Sequence, residues 1–450
     1  MFLYTNTRAI FRLHVLSRPG RTVVEKWQGR ENYGNVVKIL IANTLYYPDE
    51  TGGAEVSTRL LAEGLARAGV DVCVVCATGS GIDRMDEVNG VKVYRLRSVN
   101  LYWPHPREKR GRIARLIWHA IDVYNVIMSR KLGNIIAREK PDVISTSNLS
   151  CLSIDVWRLA NNAGVPIVHT VRDYYLMCPT AIMFSHGKPC TSQCGLCSLY
   201  AQPKRAASAR VAVAVGVSRF VLQKHLDSRY FSRAARTAVI YNACETVPPS
   251  VTPQTKRRCE GGPVRLGMLG RVSQEKGLEL LLEQLLADDT LQWTLAVGGT
   301  VEAEYFDSLR AKYDDPRIEY LGRVKPGEFF DTIDILVVPS IWNEPFGRVV
   351  VEAYSHGVPV VGANTGGIPE VIEPHSNLVF DTARPATIIG KLHEAVALLQ
   401  DPGTHERLCE YGRQFNLDAM VDAYIELYKS VLDDQTIGRA VSTVQRCTTS

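Results

Sequence analysis

Two glutamates separated by seven residues, Glu344 and Glu352, flank a turn that could bind a polar ligand. The segment 337–353 reads V-V-P-S-I-W-N-E-P-F-G-R-V-V-V-E-A, an apolar strand, a turn and the start of a helix. The free N–H groups and the dipole of a helix N-terminus favour phosphate. Carboxylates repel phosphate but accept hydrogen bonds from sugar hydroxyls. The segment therefore indicates a binding site for a nucleotide sugar, although a solvated strand–turn–helix unit fits this spacing equally well.

Two cations and a glycine pair follow other predicted strands of the second half. Arg271 and Lys276 lie in G-R-V-S-Q-E-K-G, between the predicted strand Val264–Leu269 and a helix. Two cations above a helix start suit a diphosphate. Gly366 and Gly367 open the last predicted loop and helix of this half. Because the carboxyl ends of parallel strands meet at one edge of a sheet, we expect these residues to converge.

Backbone groups supply the remaining candidates for ligand binding. The N–H groups of Phe346, Gly347 and Arg348 lie at the predicted helix start of the two-glutamate segment. Gly52 and Gly53 precede the first predicted helix of the chain, and without a Cβ they let backbone approach a ligand closely. An ordinary glycine turn is the alternative for this pair.

The arrangement of predicted elements indicates two domains. Apolar strands alternate with helices on both sides of a proline-rich segment, T-V-P-P-S-V-T-P-Q-T-K-R-R-C-E-G-G-P, which reads as a linker. This alternation predicts an α/β protein with two Rossmann-like, doubly wound parallel sheets facing a ligand cleft. The predicted units are a basic, poorly ordered leader (1–35), a first domain (36–245), the linker (246–263), a second domain (264–415), a helix that returns to the first domain (416–432) and a disordered tail (433–450).

Charge is distributed unevenly over the 450 residues. The net charge is +5, but residues 1–250 hold 33 Lys/Arg and 18 Asp/Glu, and residues 251–450 hold 19 and 29. A basic first half fits an anionic membrane, a lipid-phosphate acceptor or nucleic acid, and no nucleic-acid-binding motif supports the last of these. A predicted helix from Arg112 mixes arginines with apolar residues, so it fits either an anionic membrane surface or docking on its own sheet. No apolar run reaches the roughly 18 residues of a membrane span.

Four cysteines occur close together in the first half. Cys178, Cys190, Cys194 and Cys197 form the pattern C-P-x10-C-x3-C-x2-C. Four thiolates at this spacing could hold a structural zinc ion, although this is not a standard zinc-finger pattern. Unpaired thiols and a disulfide are the alternatives.

As a set, these motifs resemble those of the retaining glycosyltransferases of family four, which have the GT-B fold. The second half matches in G-R-V-S-Q-E-K-G (270–277), in the E-x7-E element and in T-G-G-I-P-E (365–370). The first half adds G-G-A-E (52–55), V-S (217–218) and Asn242. The resemblance covers about residues 36–432.

The resemblance implies a nucleotide-diphosphate sugar donor, bound mainly by the second domain. By this reading Arg271 and Lys276 hold the diphosphate, Glu352 the ribose and Glu344 the donor sugar. The backbone at 346–348 supports phosphate and sugar, and Gly53 lies beside the diphosphate from across the cleft. The family transfers with retention and needs no divalent metal, so no cofactor is expected for catalysis.

One position departs from the family pattern. The family often has His-Asp after a first-domain strand, near the donor sugar, whereas this chain reads V-H-T-V-R-D-Y-Y. Asp173 matches the aspartate, but Arg172 replaces the histidine and His169 lies three residues earlier. The resemblance thus implies a sugar or phosphate contact for Arg172, or a different local geometry.

We therefore expect a hexosyltransferase that acts on a glycan or lipid-linked acceptor, in polysaccharide or glycoconjugate synthesis. It is expected in the cytoplasm, with peripheral contact to the membrane. A nucleotide-sugar epimerase of the same fold and a non-catalytic sugar-nucleotide-binding subunit are the alternatives.

Overall fold

The computed structural model describes residues 37–50, 52–105, 110–244 and 262–447, with side chains through Asp434. The predicted leader 1–35 lies outside the described residues, and so does nearly all of the predicted linker 246–263.

The first half forms an eight-stranded sheet in the order β10-β9-β6-β5-β1-β2-β4-β3. All neighbouring strands in it are parallel except β3 and β4. Its central strands are short apolar runs that are buried on both faces, as parallel strands between two helical layers require. The strands of this half, including a separate hairpin of β7 and β8, are β1 Lys38–Ala42, β2 Asp71–Thr78, β3 Arg84–Val88, β4 Val91–Arg97, β5 Val143–Thr146, β6 Ile167–Val171, β7 Phe184–Ser185, β8 Lys188–Pro189, β9 Val213–Gly216 and β10 Arg236–Val239.

The second half forms a six-stranded parallel sheet in the order β13-β12-β11-β14-β15-β16. The strand order reverses direction at β11 and β14, which lie side by side. In open sheets of this kind ligands bind at such a switch point, outside the carboxyl ends of the strands. The strands are β11 Val264–Leu269, β12 Trp293–Gly298, β13 Ile318–Gly322, β14 Ile335–Val338, β15 Val360–Ala363 and β16 Val379–Phe380.

Helices connect the strands of both sheets. Those of the first half are α1 Gly53–Arg67, α2 Arg112–Val123, α3 Val126–Glu139, α4 Val156–Asn162, α5 Gly195–Ser208 and α6 Arg219–Asp227. Those that follow are α7 Leu278–Ala287, α8 Ala303–Lys312, α9 Pro326–Phe330, α10 Arg348–Ser355, α11 Ile368–Val371, α12 Thr387–Leu398, α13 Thr404–Arg413 and α14 Leu417–Cys447. The predicted α/β class with two doubly wound sheets is confirmed.

Helix α14 follows the second sheet in the chain but packs on the first one. Met420 and Tyr424 belong to the same buried apolar cluster as β1, β2 and α1. The Tyr424 hydroxyl lies 3.0 Å from the Thr170 hydroxyl, and the Tyr428 hydroxyl lies 2.9 Å from the Ser145 hydroxyl. Gly64 of α1 permits this close packing, because a Cβ there would lie 2.4 Å from the Val421 side chain.

One expectation needs correction, and four strands were not predicted. The backbone of α14 is helical to Cys447, whereas residues 433–450 were expected to be a disordered tail. Residues 433–447 contain no proline, so no residue there forbids continuation of the helix. Strands β3, β7, β8 and β16 were not predicted, because β3 carries charged residues at an exposed edge and the other three are two residues long.

Candidate functional site

Lys276 and Glu344 form an ion pair at the carboxyl edge of the second sheet. Their Nζ and Oε1 atoms are 2.7 Å apart, and Lys276 also lies 5.3 Å from the centre of the Trp342 ring. Gly277, with φ 74°, brings the two loops together, because a Cβ there would lie 2.0 Å from the Pro339 carbonyl oxygen. The sequence predicted that the two loops converge, but it did not predict the direct pair.

Arg271 forms ion pairs with two glutamates that were not among the predicted site residues. Its Nη2 atom lies 2.6 Å from Glu275 and its Nε atom lies 3.6 Å from Glu302. Burial opposes ionisation of Glu275, but hydrogen bonds from its own N–H, Ser273 and Arg271 keep its pKa below the usual value. The Arg271 side chain is 36% exposed, so part of it remains accessible to a ligand from solvent.

Arg348 and Glu352 form the third pair of the site. Arg348 Nε lies 2.6 Å from Glu352 Oε1, one turn along α10. Gly53, at the start of α1 in the first domain, faces this pair, because a Cβ there would lie 3.4 Å from Arg348 Cδ. The neighbouring Gly52 is the N-cap of α1 in extended backbone. The first-domain helix start thus meets the second-domain helix start across the cleft.

Three glycines shape the loop of Glu344. Gly347, with φ 89°, is the N-cap of α10. A Cβ on Gly366, whose φ is 59°, would lie 2.2 Å from the Glu344 carbonyl oxygen, and the Gly367 N–H donates to that oxygen at 2.7 Å. Gly366 and Gly367 therefore contact the Glu344 backbone directly. The side chain of Phe346 is buried, so only its backbone could contact a ligand.

Arg172 and Asp173 lie on the first-domain wall, directly after β6. Arg172 is buried and its guanidinium donates to the Asn242 side-chain oxygen. The carboxylate of Asp173 accepts from the Tyr175 N–H at 2.9 Å, and burial of this carboxyl group raises its pKa to about 6. His169 is packed in the core against Thr146, and burial lowers its pKa to about 3.

Glu55 is a further carboxylate on this wall, and it was not predicted as a site residue although it belongs to the G-G-A-E motif. It is buried, and this burial raises its pKa to about 7, with a smaller contribution from the charge of Asp173. A glutamate in the first turn of a helix is ordinarily a solvated or capping residue, so only its burial near Asp173 distinguishes it.

Direct hydrogen bonds join the two domains beside the cleft. The Glu370 carboxylate accepts from the N–H groups of Arg219 and Phe220, at 2.8 and 2.7 Å, at the start of α6. The Tyr174 hydroxyl donates to the Asn343 carbonyl oxygen at 2.6 Å. The Trp342 indole N–H donates to the carbonyl oxygen of Ile182, which lies in the loop of the four cysteines.

The four cysteines lie in one region without forming a complete metal site. The Sγ atoms of Cys178 and Cys197 are 3.9 Å apart, close to the roughly 3.8 Å expected for two ligands of one tetrahedral zinc. Cys194 is the N-cap of α5, one turn before Cys197, and Cys190 lies in the preceding segment. Within the described part of the chain, no three His, Cys, Asp or Glu side chains are grouped to hold a metal ion. The zinc site therefore stays a prediction.

Comparison with known proteins agrees with the fold and the motifs. The family profile "Glycosyl transferases group 1" matches residues 255–415, and "Glycosyl transferase 4-like domain" matches residues 52–243. A protein of the cps region of Klebsiella pneumoniae is 32% identical over 397 residues, which span 87% of this chain and all of that protein. A glycosyltransferase of Methanocaldococcus jannaschii is 25% identical over 76% of this chain and 85% of its own length.

Solved structures of low identity share the fold. Sucrose-phosphate synthase from Thermosynechococcus elongatus aligns with a TM-score of 0.69 at 20% identity, covering 88% of this chain and all of that one. Anabaena HepE, solved in complex with UDP-glucose, aligns with a TM-score of 0.59 at 18% identity, covering 87% of this chain and 99% of that one. The matching profiles, the cps-region relative and the GT-B architecture together show that the chain belongs to the group 1 glycosyl transferase family.

Proposed function

We propose that the protein transfers a hexosyl group, with retention of configuration, from a nucleotide-diphosphate sugar to a glycan or lipid-linked acceptor. The observation that carries this proposal is the Lys276–Glu344 pair at the switch point of the second sheet, beside the N-terminus of α10. The UDP-glucose in the HepE structure supports a nucleotide-sugar donor. The relative from a cps region supports a role in polysaccharide synthesis.

The ion pairs suggest how the donor binds. A diphosphate competes with Glu344 for Lys276 and with Glu275 for Arg271, since phosphate oxygens and carboxylates accept from the same donors. Release from Lys276 leaves Glu344 free to accept from hydroxyls of the donor sugar. Glu352 accepts from the ribose hydroxyls, and the N–H groups of residues 346–348 face the phosphates.

In the proposed reaction the acceptor hydroxyl attacks the anomeric carbon from the face of the leaving group. The bond between that carbon and the diphosphate oxygen breaks as the new glycosidic bond forms, and the departing phosphate takes the hydroxyl proton. Arg271 and Lys276 stabilise the negative charge that develops on the diphosphate, which is the main contribution of the protein.

A donor screen tests this function. Purified protein is incubated with UDP-, GDP- and ADP-hexoses, and released nucleotide diphosphate and free sugar are measured. We expect slow hydrolysis of donors with one base, and retention at the anomeric carbon when the product is followed by NMR. Isomerised nucleotide sugar without release of nucleotide would identify an epimerase instead. Donor binding without any turnover would identify a binding subunit.

Two measurements test what is proposed about metal, namely that catalysis needs none and that the four cysteines hold a structural zinc ion. Turnover in the screen should persist in EDTA, because Arg271 and Lys276 carry the charge that a catalytic cation would otherwise carry. Loss of turnover that Mg²⁺ or Mn²⁺ restores would contradict this proposal. Elemental analysis of the same preparation should give about one zinc per chain if the cysteines form a structural site, and a ratio near zero would exclude it.

A further inference from the structure

We propose that Arg172, together with Asn242, recognises a negatively charged group of a substrate at the first-domain wall of the cleft. The group is a carboxylate or a phosphate other than the donor diphosphate. This inference rests on the proposed function, because it takes the cleft as the place where donor and acceptor meet.

The guanidinium of Arg172 is buried, and none of the ion pairs found among the described residues includes it. The residue is only 6% exposed. Its hydrogen bond goes to the neutral Asn242 side chain, and its buried Nε atom has no hydrogen-bond partner among the described residues. A buried charge without an opposite charge is costly, so an anionic ligand would relieve an existing deficit.

The adjacent aspartate does not supply the missing charge. Asp173 directs its carboxylate to the Tyr175 N–H, and no hydrogen bond joins it to Arg172. The Asn242 side chain is buried as well and is an amide rather than an acid. Arg172 thus retains one donor, its buried Nε–H group, that has no partner among the described residues.

The position of this pair fits a substrate contact. Arg172 directly follows β6 and Asn242 closely follows β10, so both lie at the carboxyl edge of the first sheet. The ring of Tyr241, the neighbour of Asn242, lies near that of Phe346 of the second domain, with ring centres 5.9 Å apart and the planes tilted by 32°. The pair therefore lies beside the loop of Glu344, which the proposed function assigns to the donor sugar.

The donor diphosphate does not require Arg172. Lys276, Arg271 and Arg348 are the cations of the second-domain wall, and the first two suit the diphosphate on their own. The planar guanidinium matches a carboxylate or a phosphate in a two-point contact. Two sources remain, the carboxylate of a uronic acid donor and the phosphate of a lipid-diphosphate acceptor.

Paired ligands test the two sources separately by calorimetric binding. In the donor arm UDP-glucose is compared with UDP-glucuronate, or GDP-mannose with GDP-mannuronate, according to the base found in the donor screen. In the acceptor arm a short-chain prenyl-diphosphate sugar is compared with the same sugar on the uncharged prenol. We expect the anionic member of one pair to bind about tenfold more tightly than its neutral partner.

Two variants assign that preference to Arg172. Arg172→Gln should remove the preference and change the Kd of the neutral ligand by less than about threefold, whereas Arg172→Lys should keep part of it. Asn242→Asp gives Arg172 an internal counter-ion while preserving shape, so it should also remove the preference. This second variant keeps the test valid if Arg172→Gln does not fold.

Three results would overturn the inference. They are equal affinity for both members of both pairs, an Asn242→Asp variant that retains the preference, and equal losses for charged and neutral ligands in Arg172→Gln. Nucleotide sugars that bind without a charge preference would leave the proposed function intact, whereas failure of every nucleotide sugar to bind would reject that function instead.

Discussion

Lys276 and Glu344 neutralise each other's charge in the structure, so a bound donor would have to break their ion pair. The two side chains are 2.7 Å apart and only 21% and 11% exposed, so the lysine is held in the loop where the proposed diphosphate binds. Substrate binding then replaces one charge-assisted interaction by another, so part of the affinity is lost in the exchange. The same holds for Arg271 and Glu275.

Replacement of Lys276 by alanine should lower kcat/KM for donor turnover by about tenfold or more, because a charge-assisted contact to the leaving group is removed. The fold should persist, since Lys276 lies near the surface of the cleft. Lys312→Ala is the matched control, because Lys312 also pairs with glutamates of the second domain, at 2.8 and 3.3 Å, but lies at the C-terminal end of α8 and belongs to none of the binding motifs. Unchanged turnover in Lys276→Ala would remove the residue from the diphosphate site.

At the scale of elements, the contact between α11 and α6 connects the two domains. The first N–H groups of α6 have no acceptor within the helix itself. The Ser218 side chain accepts a hydrogen bond from one of them, that of Val221. Glu370 from the other domain accepts from two more, and its negative charge suits the positive end of the helix dipole. A carboxylate of one domain thus completes the helix cap of the other.

Loss of this contact should favour more open arrangements of the domains. We expect Glu370→Ala to increase the radius of gyration measured by small-angle scattering and to lower kcat severalfold, since a charged hydrogen-bonded cap contributes about 1.5–3 kcal/mol. Nucleotide diphosphate alone should still bind, because the contacts proposed for it lie on the second domain. Glu394→Ala serves as the control, because the Glu394 side chain is 51% exposed and pairs with Lys391 of the same helix. An unchanged radius together with unchanged kcat would show that the contact does not hold the domains.

At the scale of the whole molecule, exposed apolar side chains collect on the basic half. Ile113 and Ile117 of α2 are 74% and 47% exposed, one turn apart, and Tyr124 continues the same stripe at 48%. Arg112 and Arg115 flank the stripe, and the acid of the helix, Asp122, is buried. In the described part of the chain, no helix is both long and apolar enough to span a membrane. An amphipathic surface of this composition fits the interface of an anionic bilayer.

We propose that the molecule rests on anionic membrane through this face of α2. Full-length protein should sediment with vesicles containing about 30% phosphatidylglycerol and much less with phosphatidylcholine alone, more weakly at high salt. The double variant Ile113→Glu, Ile117→Glu should reduce the bound fraction about tenfold. Ile82→Glu, at a position 77% exposed in the same domain, should bind as the wild type does. Equal binding to both kinds of vesicle, or loss of self-association rather than of vesicle binding in the double variant, would contradict the proposal.

Local sequence patterns determined the elements and the chemical groups of this protein. Strand β11 has the predicted bounds, Val264–Leu269, because a short apolar run between polar turns is a local signal. The cations, acids and glycines of the second domain were recognised from their spacing, since each follows a strand end whose position the sequence gives.

Tertiary structure alone decided how these groups are paired. Lys276 meets Glu344 across 68 residues, and Arg219 meets Glu370 across 151. Such contacts depend on strand order, domain orientation and side-chain direction, none of which a periodic pattern encodes. For the same reason the sequence could not predict that Arg172 is buried with no ion-pair partner among the described residues. The sequence marked that residue as a departure from its family, and only its surroundings in three dimensions identified it as a buried charge that pairs with no acid in the described part of the chain.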